Sequence, residues 1–367
     1  MRILITSISF CEYIIQKANA LVSKGHDIML LMPQNLVDST VGDDISKLLD
    51  PKVNTLFYKG KRRPNRIYYL FSRNFLKKIE RFSPDVIHIH RNGEIETLII
   101  SLRFNKIPLV ITVHDVILHK GADSKLSLRC KLICKYLNYK AAIIHVHGEK
   151  LKNELVKLHP SYAKKSFIIP HGTLSLFTKW NNGTVEKEPY TCLFFGRMEK
   201  YRGLDNLVEV GKILRDKLPK VKFIVAGRGS ELAKYKESMK ASGIFEIYDA
   251  FIPDKEIHKF FRRASLLLLP YHEASQSGIV HMALAFGLPM VATAVGAIPE
   301  VIKDNIHGRI IPPDNIKDFA EAIHILLQDK EKLSKMSNAC YERGRELEFT
   351  NIITNFETLY SQAVNHL

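Results

Sequence analysis

Cysteine and long apolar runs are scarce in this chain, and each scarcity excludes a class of protein. The five cysteines are odd in number and scattered, which argues against a disulfide framework and favours a reducing cytosol. Cys130 and Cys134 would share one helical face, but no second pair completes a metal site, so a core stripe is the simpler interpretation. No apolar run approaches the ~20 residues of a transmembrane helix. The opening residues RILITSISF predict a strand rather than a leader peptide, so we expect a cytoplasmic protein.

Acidic residues are fewer than basic ones, and the formal net charge is +16. Such an excess indicates an anionic partner: a nucleotide, a nucleic acid or a phospholipid surface. Nine basic residues and the single acid Glu80 lie between Lys59 and Arg81, interleaved with aromatic residues. This segment predicts either a helix on an anionic membrane surface or a solvated helix with ordinary core aromatics. The candidate membrane-binding residues are Lys61, Arg62, Arg63, Arg66, Arg73, Lys77 and Lys78.

The chain also lacks any D-x-D motif that could hold Mg²⁺ beside a nucleotide. His88 with His90, and His145 with His147, are i, i+2 pairs whose side chains would point to one face of a strand, a spacing that a zinc site would permit. Both pairs lie in strands that the sequence predicts to be buried, which favours a structural role. We therefore expect no metal ion.

Short β-branched runs alternate with helical stretches along the 367 residues. Runs of this length, bounded by turn residues and separated by helices, predict buried parallel strands of doubly wound sheets. A polar stretch at 178–189, TKWNNGTVEKEP, interrupts the pattern and predicts a linker. The predicted strands before it are RILIT, DIMLLMP, VNTLFY, DVIHIH, LVITVH, AAIIHVH and SFIIPHG, and those after it are TCLFFG, VKFIVAG, LLLLP, MVATAVG and GRIIP.

The predicted fold class is α/β, with two tandem Rossmann-like domains that face each other across a cleft. The chain length suits two domains of about 150 to 200 residues each. We place the first domain at 1–175 and the second at 188–345. A C-terminal helix at 346–367 is expected to cross back to the first domain.

Two loops of the second half have residues suited to anions. Arg197 and Arg202 follow a strand that ends at Gly196, and their planar, permanently charged donor groups suit a diphosphate. In EASQSGIV, Ser277 can act as a helix N-cap with Gly278 as the first helical residue, and such a terminus binds phosphate. Ordinary surface arginines and a helix start without a ligand are the alternatives.

Taken together, the motifs GRMEKYRG, VAGRG, PYHEASQSGIVHMALAFGLPMVAT, VGAIPEVI, PDVIHIH, VHD and IPHG resemble those of retaining glycosyltransferases of family four, which have the two-Rossmann GT-B fold. The resemblance covers nearly the whole chain and depends on the joint order and spacing of the motifs. It implies a metal-independent enzyme that uses a nucleotide-diphosphate sugar, with UDP or GDP, and no further cofactor. The implied reaction is a same-face substitution, in which the nucleoside diphosphate leaves from the face of the sugar that the acceptor attacks, without a covalent intermediate.

The resemblance also implies roles for single residues. Arg197 and Arg202 match the Arg and Lys of a G-R-x4-K-G motif that holds the donor pyrophosphate, with Arg in place of the usual Lys. His114 matches a family histidine that approaches the donor sugar. Gly227 and Gly229 match a glycine loop beside the nucleotide. His171 in IPHG is expected to shape the hinge end of the cleft.

The acidic E-x7-E motif of the family is absent. Its two glutamates would fall at Ala274 and Met282, whereas Glu273 and His281 lie one residue earlier, an offset of about 100° on a helix. The ASQSG sequence resembles a variant branch in which serine hydroxyls and the helix terminus receive the diphosphate. Glu273 remains a candidate contact for the donor sugar, and with His114 it completes the candidate catalytic pair. The implied diphosphate contacts are Ser275, Gln276, Ser277 and Gly278.

The acceptor side departs from the family as well. Many members have a Gly-Gly turn after the first strand, where this chain has SISFCEY, so that Ser7, Ser9 and Phe10 would meet the acceptor. We expect a lipid-linked oligosaccharide or another glycan of cell-surface polysaccharide biosynthesis, transferred by an enzyme held at the inner face of the membrane. A nucleotide-sugar epimerase or phosphorylase, a basic nucleic-acid-binding protein and a family member that binds donor without transfer are the alternatives.

Overall fold

The computed structural model describes residues 1–58, 73–90, 93–117, 127–180 and 183–365. The chain divides into two compact units. The first consists of Met1–Val116, Lys125–Gly172 and Phe349–Leu367, and the second mainly of Thr173–Glu348. Each unit is built on one all-parallel sheet, and the predicted fold class of two Rossmann-like α/β domains is confirmed.

The first unit has a seven-stranded sheet in the order β3-β2-β1-β4-β5-β6-β7. Its strands are β1 Arg2–Ser7, β2 Asp27–Pro33, β3 Asn54–Tyr58, β4 Val86–His90, β5 Leu109–Thr112, β6 Ile143–Val146 and β7 Ser166–Ile168. Its first helices are α1 Cys11–Ser23, α2 Gln34–Thr40, α3 Ile45–Leu48, α4 Arg73–Phe82, α5 Ile95–Arg103, α6 Leu128–Lys140 and α7 Glu149–Leu158. The central strands are buried, although β4 has His88 and His90 among its apolar residues.

The second unit has a six-stranded sheet in the order β10-β9-β8-β11-β12-β13. Its strands are β8 Thr191–Phe195, β9 Lys222–Gly227, β10 Phe245–Asp249, β11 Leu266–Leu269, β12 Met290–Thr293 and β13 Gly308–Ile311. Its helices are α8 Leu204–Lys217, α9 Leu232–Ser242, α10 Asp254–Arg263, α11 Gly278–Ala285, α12 Ile298–Val301, α13 Ile316–Gln328 and α14 Lys330–Glu346. The sequence analysis missed β10, because this edge strand is only half-buried and its sequence FEIYD has a weak apolar signal.

The last helix, α15 Phe349–Asn365, belongs to the first unit. Its buried face includes Phe356 and Tyr360, which lie against the histidines of the first sheet. The return to the first unit therefore occurs at residue 349 rather than at 346. No helix in the described ranges combines the length and the apolar character that a bilayer crossing requires.

The polar stretch predicted as a linker lies within the second unit. The chain enters that unit at Thr173, and the apolar side chains of Leu176 and Phe177 are buried there. Further along the stretch, Glu188 forms an ion pair with Arg263 at 2.5 Å, and its backbone N–H donates to the Arg263 carbonyl. These contacts fix the stretch to the second unit, so the boundary lies before it rather than at 175–188.

The segment predicted to lie on a membrane is only partly within the described residues. Lys61, Arg62, Arg63, Arg66 and the side chain of Arg73 lie outside them. In the described part of α4, Lys77 and Lys78 are exposed, whereas Phe75 is buried and packs edge-on against Tyr58 at 6.3 Å between ring centroids. Of the two interpretations of the aromatic residues, core packing holds for this pair.

In both sheets the strand order reverses at one place, between β1 and β4 and between β8 and β11. Connections diverge from such a switch point, which leaves a crevice at the carboxyl ends of the strands where ligands of doubly wound folds bind. The SISF loop follows β1, the loop with Arg197 and Arg202 follows β8, and the PYHEASQSG loop follows β11. Each of these three loops thus lies at a switch point of its own unit, whereas the predicted glycine loop with Gly227 and Gly229 follows the neighbouring strand β9.

Candidate functional site

The two arginines after β8 differ in how firmly they are held. Arg202 Nη1 donates to the Tyr271 hydroxyl at 2.6 Å, and its guanidinium lies over the Tyr271 ring at 5.1 Å from the centroid. Arg197 is exposed, and its Nη2 donates to the Tyr201 hydroxyl at 3.3 Å. Arg202 is therefore the more firmly held of the two, and Arg197 is the more exposed.

The loop that carries Arg202 packs directly on the PYHEASQSG loop. Gly203 has a φ of 68°, and a Cβ at this position would overlap the carbonyl oxygen of Pro270. The Tyr201 carbonyl accepts from the backbone N–H of His272 at 2.9 Å. A Cβ built on Gly196 would lie 3.1 Å from Arg202 Nη1 and 3.4 Å from Ile279 in the first turn of α11. The structure thus brings the Arg202 guanidinium to the amino-terminal end of α11.

Helix α11 begins at Gly278 with Ser277 in the N-cap position, as predicted. The Ser277 hydroxyl makes no hydrogen bond to the helix backbone, so the side chain of the N-cap residue does not occupy the first N–H groups of α11. Ser275 and Ser277 are buried, and Gln276 is half-buried. The Ser275 carbonyl accepts from Ala297 N at 2.8 Å, which ties this turn to the loop after β12.

The glycines after β9 complete this group of loops. A Cβ at Gly227, whose φ is 143°, would overlap the Gly196 carbonyl oxygen, and one at Gly229 would overlap that of Met198. Met198 N donates to the Arg228 carbonyl at 3.0 Å. The loops after β8, β9 and β11 therefore form one continuous surface in which glycine is required for close backbone packing.

In the first unit, the structure brings one of the predicted acceptor residues, Phe10, next to His114. The Phe10 ring lies on the buried His114 ring with 4.2 Å between centroids and 32° between planes. The Ser7 hydroxyl donates to the Ser9 carbonyl and accepts from Ser9 N at 3.2 Å, which closes a tight turn. Phe10 follows with a φ of 61° as the N-cap of α1. This turn directs the Phe10 ring onto His114.

A buried lysine and a group of histidines lie behind His114. Lys17 Nζ is 2.8 Å from His88 Nδ1 and 3.0 Å from His90 Nε2, and it lies 4.3 Å from the centroid of the Phe356 ring. Burial lowers the pKa of His145 to about 3 and that of His171 to about 4. Burial likewise holds the pKa well below its ordinary value for each of Lys17, His88, His90 and His147. The five histidines are therefore neutral near pH 7.

Two family models match the chain over most of its length. The model described as Glycosyltransferase Family 4 matches residues 12–173, and the model described as Glycosyl transferases group 1 matches residues 177–344. The chain is a glycosyltransferase of the group 1 type.

This group 1 glycosyltransferase has relatives of low identity that span most of its length. It is 22% identical over 306 residues to D-inositol 3-phosphate glycosyltransferase of Corynebacterium aurimucosum, covering 77% of this chain and 72% of the relative. It is 24% identical over 322 residues to an uncharacterized 41.2 kDa protein in the cps region of Klebsiella pneumoniae, covering 81% and 84%. The solved structure of Anabaena HepE in complex with UDP and glucose has a TM-score of 0.70 at 16% identity, covering 98% and 100%. That likeness shows the GT-B fold.

Glu273 and His281, the two polar residues near the absent acidic motif of the glycosyltransferase, lie in different environments. Glu273 is exposed, and its backbone N–H donates to the Tyr201 carbonyl at 3.3 Å. His281 is 1% exposed within α11. The role of Glu273 at the donor sugar stays a prediction, and the buried position of His281 agrees with the offset that the sequence register gives.

An ion-paired histidine holds the PYHEASQSG loop to two other elements, and the sequence analysis missed it. His272 Nε2 lies 2.8 Å from Asp205 Oδ1, and its Nδ1 lies 2.7 Å from Asp314 Oδ1. Burial opposes protonation of His272, but the two carboxylates raise its pKa overall. The signal in the sequence was weak, because Asp205 and Asp314 lie 67 and 42 residues away along the chain.

Side chains of both predicted histidine pairs take part in hydrogen bonds to other groups of the protein. His88 Nε2 and His145 Nδ1 both bond to the Thr112 hydroxyl, at 2.7 and 2.9 Å. Across the described ranges, no group of three or more His, Cys, Asp or Glu side chains is arranged to hold a metal ion. The lack of a metal requirement stays a prediction for this glycosyltransferase.

Proposed function

We propose that this protein is a retaining, metal-independent glycosyltransferase that transfers a sugar from a UDP- or GDP-sugar to a lipid-linked oligosaccharide or glycan of a cell-surface polysaccharide. The observation that carries the proposal is the fixed guanidinium of Arg202 at the amino-terminal end of α11. The UDP bound to Anabaena HepE and the cps region of the Klebsiella pneumoniae relative support the donor class and the pathway class.

The second unit supplies the groups that stabilise a leaving diphosphate. Negative charge grows on the diphosphate as the glycosidic bond to the donor sugar breaks. Arg202 is already held in place by Tyr271, so it stabilises this charge without first having to be ordered. The first N–H groups of α11 and the guanidinium of Arg197 add further donors. On this proposal the nucleotide lies beside the closely packed Gly227 and Gly229.

On this proposal the acceptor attacks the face of the sugar that the diphosphate leaves. The acceptor hydroxyl loses its proton to the departing phosphate oxygen, the new glycosidic bond forms, and the bond to the diphosphate breaks. His114 and Glu273 contact the donor sugar, and Ser7, Ser9 and Phe10 contact the acceptor. The retaining outcome is carried over from the resemblance to family four.

A lipid-linked acceptor is supported by one surface of the first unit. Helix α6 contains no acidic residue and exposes Leu128, Leu132 and Tyr139 by 73%, 58% and 73%. Helix α5 contacts α6, and its Arg103 pairs with Glu80 of α4, beside the exposed Lys77 and Lys78. Exposed apolar side chains among basic ones suit an anionic leaflet, where each cation contributes about 1 kcal/mol.

The donor assignment is tested by thermal unfolding with UDP, GDP and their sugars. A ligand that binds the native state raises the unfolding temperature, so we expect a shift with one nucleotide family. The double variant Arg197→Ala/Arg202→Ala should lose the shift and the transfer activity while its own unfolding temperature stays within a few degrees. Arg215→Ala, on the exposed surface of α8, is the matched control. A double variant that keeps wild-type transfer would disprove the diphosphate assignment.

Incubation with donor sugar alone separates this function from the epimerase or phosphorylase alternative. A transferase leaves the donor intact apart from slow hydrolysis until acceptor is added. Epimerised donor, or sugar 1-phosphate formed with inorganic phosphate alone, would replace the proposal with the alternative.

The membrane surface is tested by flotation with phosphatidylglycerol and phosphatidylcholine vesicles. We expect binding to the anionic vesicles and at least a ten-fold loss in Lys77→Glu/Lys78→Glu and in Leu128→Ser/Leu132→Ser. Lys212→Glu/Lys217→Glu, on α8 of the second unit, makes the same charge change as a control. Equal binding by all three variants and the wild type would remove the membrane from the proposal.

A further inference from the structure

A continuous line of hydrogen-bonding groups runs through the first unit from α15 to His114. The Tyr360 hydroxyl is 2.8 Å from His88 Nδ1. His88 Nε2 is 2.7 Å from the Thr112 hydroxyl, which is 2.9 Å from His145 Nδ1. Every one of these side chains is buried, so water does not compete for their hydrogen bonds.

The line continues through one backbone carbonyl. His145 Nε2 lies 3.0 Å and His147 Nδ1 lies 3.3 Å from the Ile169 carbonyl oxygen. His147 Nε2 then lies 3.3 Å from His114 Nδ1. His147 is thus placed between a main-chain acceptor and the histidine that the proposed function puts at the donor sugar.

The carbonyl oxygen determines where the proton of each ring lies. A carbonyl only accepts hydrogen bonds, so His147 Nδ1 carries the proton that it donates to Ile169. Burial holds the pKa of His147 well below its ordinary value, so the ring is neutral and has a single proton. Its Nε2 is therefore an acceptor. His114 Nδ1 must then donate to it, and in a neutral ring this leaves a lone pair on His114 Nε2.

The groups on the other side of the Ile169 carbonyl form a consistent set of donors and acceptors. His145 Nε2 donates to Ile169, so its Nδ1 accepts from the Thr112 hydroxyl. Thr112 in turn accepts from His88 Nε2, which leaves His88 Nδ1 as an acceptor facing Lys17 Nζ and the Tyr360 hydroxyl, each at 2.8 Å. No ring in the line has to be charged, and no proton has to be shared.

We propose that His147 is a positioning residue that holds His114 in the tautomer protonated at Nδ1, so that Nε2 accepts a hydrogen bond from a hydroxyl of the donor sugar. The inference about the sugar rests on the proposed function, whereas the tautomer does not. Phe10 on one face of the His114 ring, and Tyr13 edge-on with 6.2 Å between centroids, hinder its rotation. A site that accepts from a hydroxyl favours the sugar that has it over the deoxy analogue, whose bond would be missing.

The tautomer is measured directly by long-range ¹H–¹⁵N correlation NMR on protein labelled with ¹⁵N-histidine, with His114→Gln used to assign the signal. In the wild type we expect a protonated Nδ1 and an unprotonated Nε2 on His114. A protonated Nε2 in the wild type would overturn the proposal, and this result needs no variant of His147 to fold.

Two variants of His147 separate positioning from simple packing. The amide of His147→Gln can donate to Ile169 and accept from His114, so it should keep the tautomer and lie within a few-fold of wild-type kcat. His147→Leu fills the space without an acceptor, so His114 should shift towards protonation at Nε2 and kcat should fall at least ten-fold with little change in donor KM. Equal tautomers and equal kcat in the Gln and Leu variants would overturn the proposal. His159→Gln, at an exposed site, is the control.

Failure of the proposed function gives a different result. If the Leu variant changes the tautomer of His114 while kcat stays at the wild-type value, the positioning role of His147 is supported and the contact between His114 and the donor sugar is disproved. A deoxy donor analogue that reacts as fast as its parent would disprove that contact in the same way.

Discussion

The two units have opposite kinds of side chain at their switch points, charged in one and buried and hydrogen-bonded in the other. The second unit uses permanent charge, the guanidinium groups of Arg197 and Arg202, at loops packed backbone to backbone. The first unit buries a lysine and five histidines, each with a pKa lowered by burial, and hydrogen bonds join the lysine and four of these histidines to neighbouring groups. A site for a leaving anion needs charge, whereas a site that orients hydroxyl groups needs fixed donors and acceptors.

The largest expected effect is a selective loss of stability of the first unit in acid. A base whose pKa is lower in the folded than in the unfolded state stabilises the fold fully above its unfolded pKa. It loses that stabilisation as pH falls towards the folded pKa. For His145 and His171, with folded pKa values of about 3 and about 4, the loss starts near pH 6.5 and amounts to about 1.4 kcal/mol per pH unit for each.

Hydrogen exchange at pH 7.5, 6.0 and 5.0 checks this comparison unit by unit, after correction for the intrinsic effect of pH. Protection of β4, β5 and β6 should fall by several kcal/mol, and that of β8 and β11 much less, since His258 and His307 are the histidines of the second unit with a lowered pKa among the described residues. His171→Asn should reduce the pH dependence of the first unit by about one proton. Equal losses of protection in both units would contradict the predicted difference between them.

The next effect distinguishes the firmly held arginine, Arg202, from the exposed one, Arg197. Arg202→Ala should lower kcat/KM by about 100-fold, the usual effect of removing a preorganised donor at a developing charge. Arg197→Ala should cost less, about ten-fold, because this side chain is exposed and has to be ordered when the ligand binds. Steady-state rates with the nucleotide sugar found by thermal shift give both values. A larger loss of kcat/KM in Arg197→Ala than in Arg202→Ala would show that the exposed arginine contributes more to transfer than the firmly held one.

The two regions also differ in what the sequence could predict. The arginine and ASQSG loops were placed correctly because they follow uninterrupted apolar strands, such as LLLLP, whose ends are visible in the sequence. The histidine line was not predicted, since its contacts join residues 22 to 272 positions apart, the longest between His88 and Tyr360. Lys17 gave only a weak signal, a polar residue in line with the apolar face of α1. Hydrogen-bond partners of this kind depend on the tertiary fold.

A smaller effect tests the backbone packing of the second unit. Gly203→Ala should destabilise the protein by about 2 kcal/mol or more, because alanine is strained at a φ of 68° and its Cβ would overlap the Pro270 carbonyl. Gly243 is a matched control, with a φ of 74° and nothing within 4 Å of a built Cβ. Gly243→Ala should therefore cost only the strain, about 1 kcal/mol. Equal unfolding midpoints in urea would show that the loop yields instead of holding Arg202 in place.

The smallest effect concerns the ion-paired His272 of the second unit. Asp205 and Asp314 raise the pKa of His272 against the opposing effect of burial, and hydrogen bonds from Asn206 and His272 lower the pKa of Asp314. The ion pairs of His272 with Asp205 and Asp314 therefore stabilise the PYHEASQSG loop fully between about pH 4 and pH 6.5. This stabilisation is lost as pH rises through the raised pKa of His272.

His272→Gln should cost less than about 1 kcal/mol, because the three side chains are partly exposed and water screens the pair. Its cost should be greater at pH 6 than at pH 8.5, the opposite pH dependence to that of the first unit. Urea unfolding of the variant and the wild type at the two pH values measures the difference, and Asp205→Asn should remove most of it. A cost that grows with pH would mean that His272 acts as a neutral hydrogen-bonding group, and the second unit would then share the chemistry of the first.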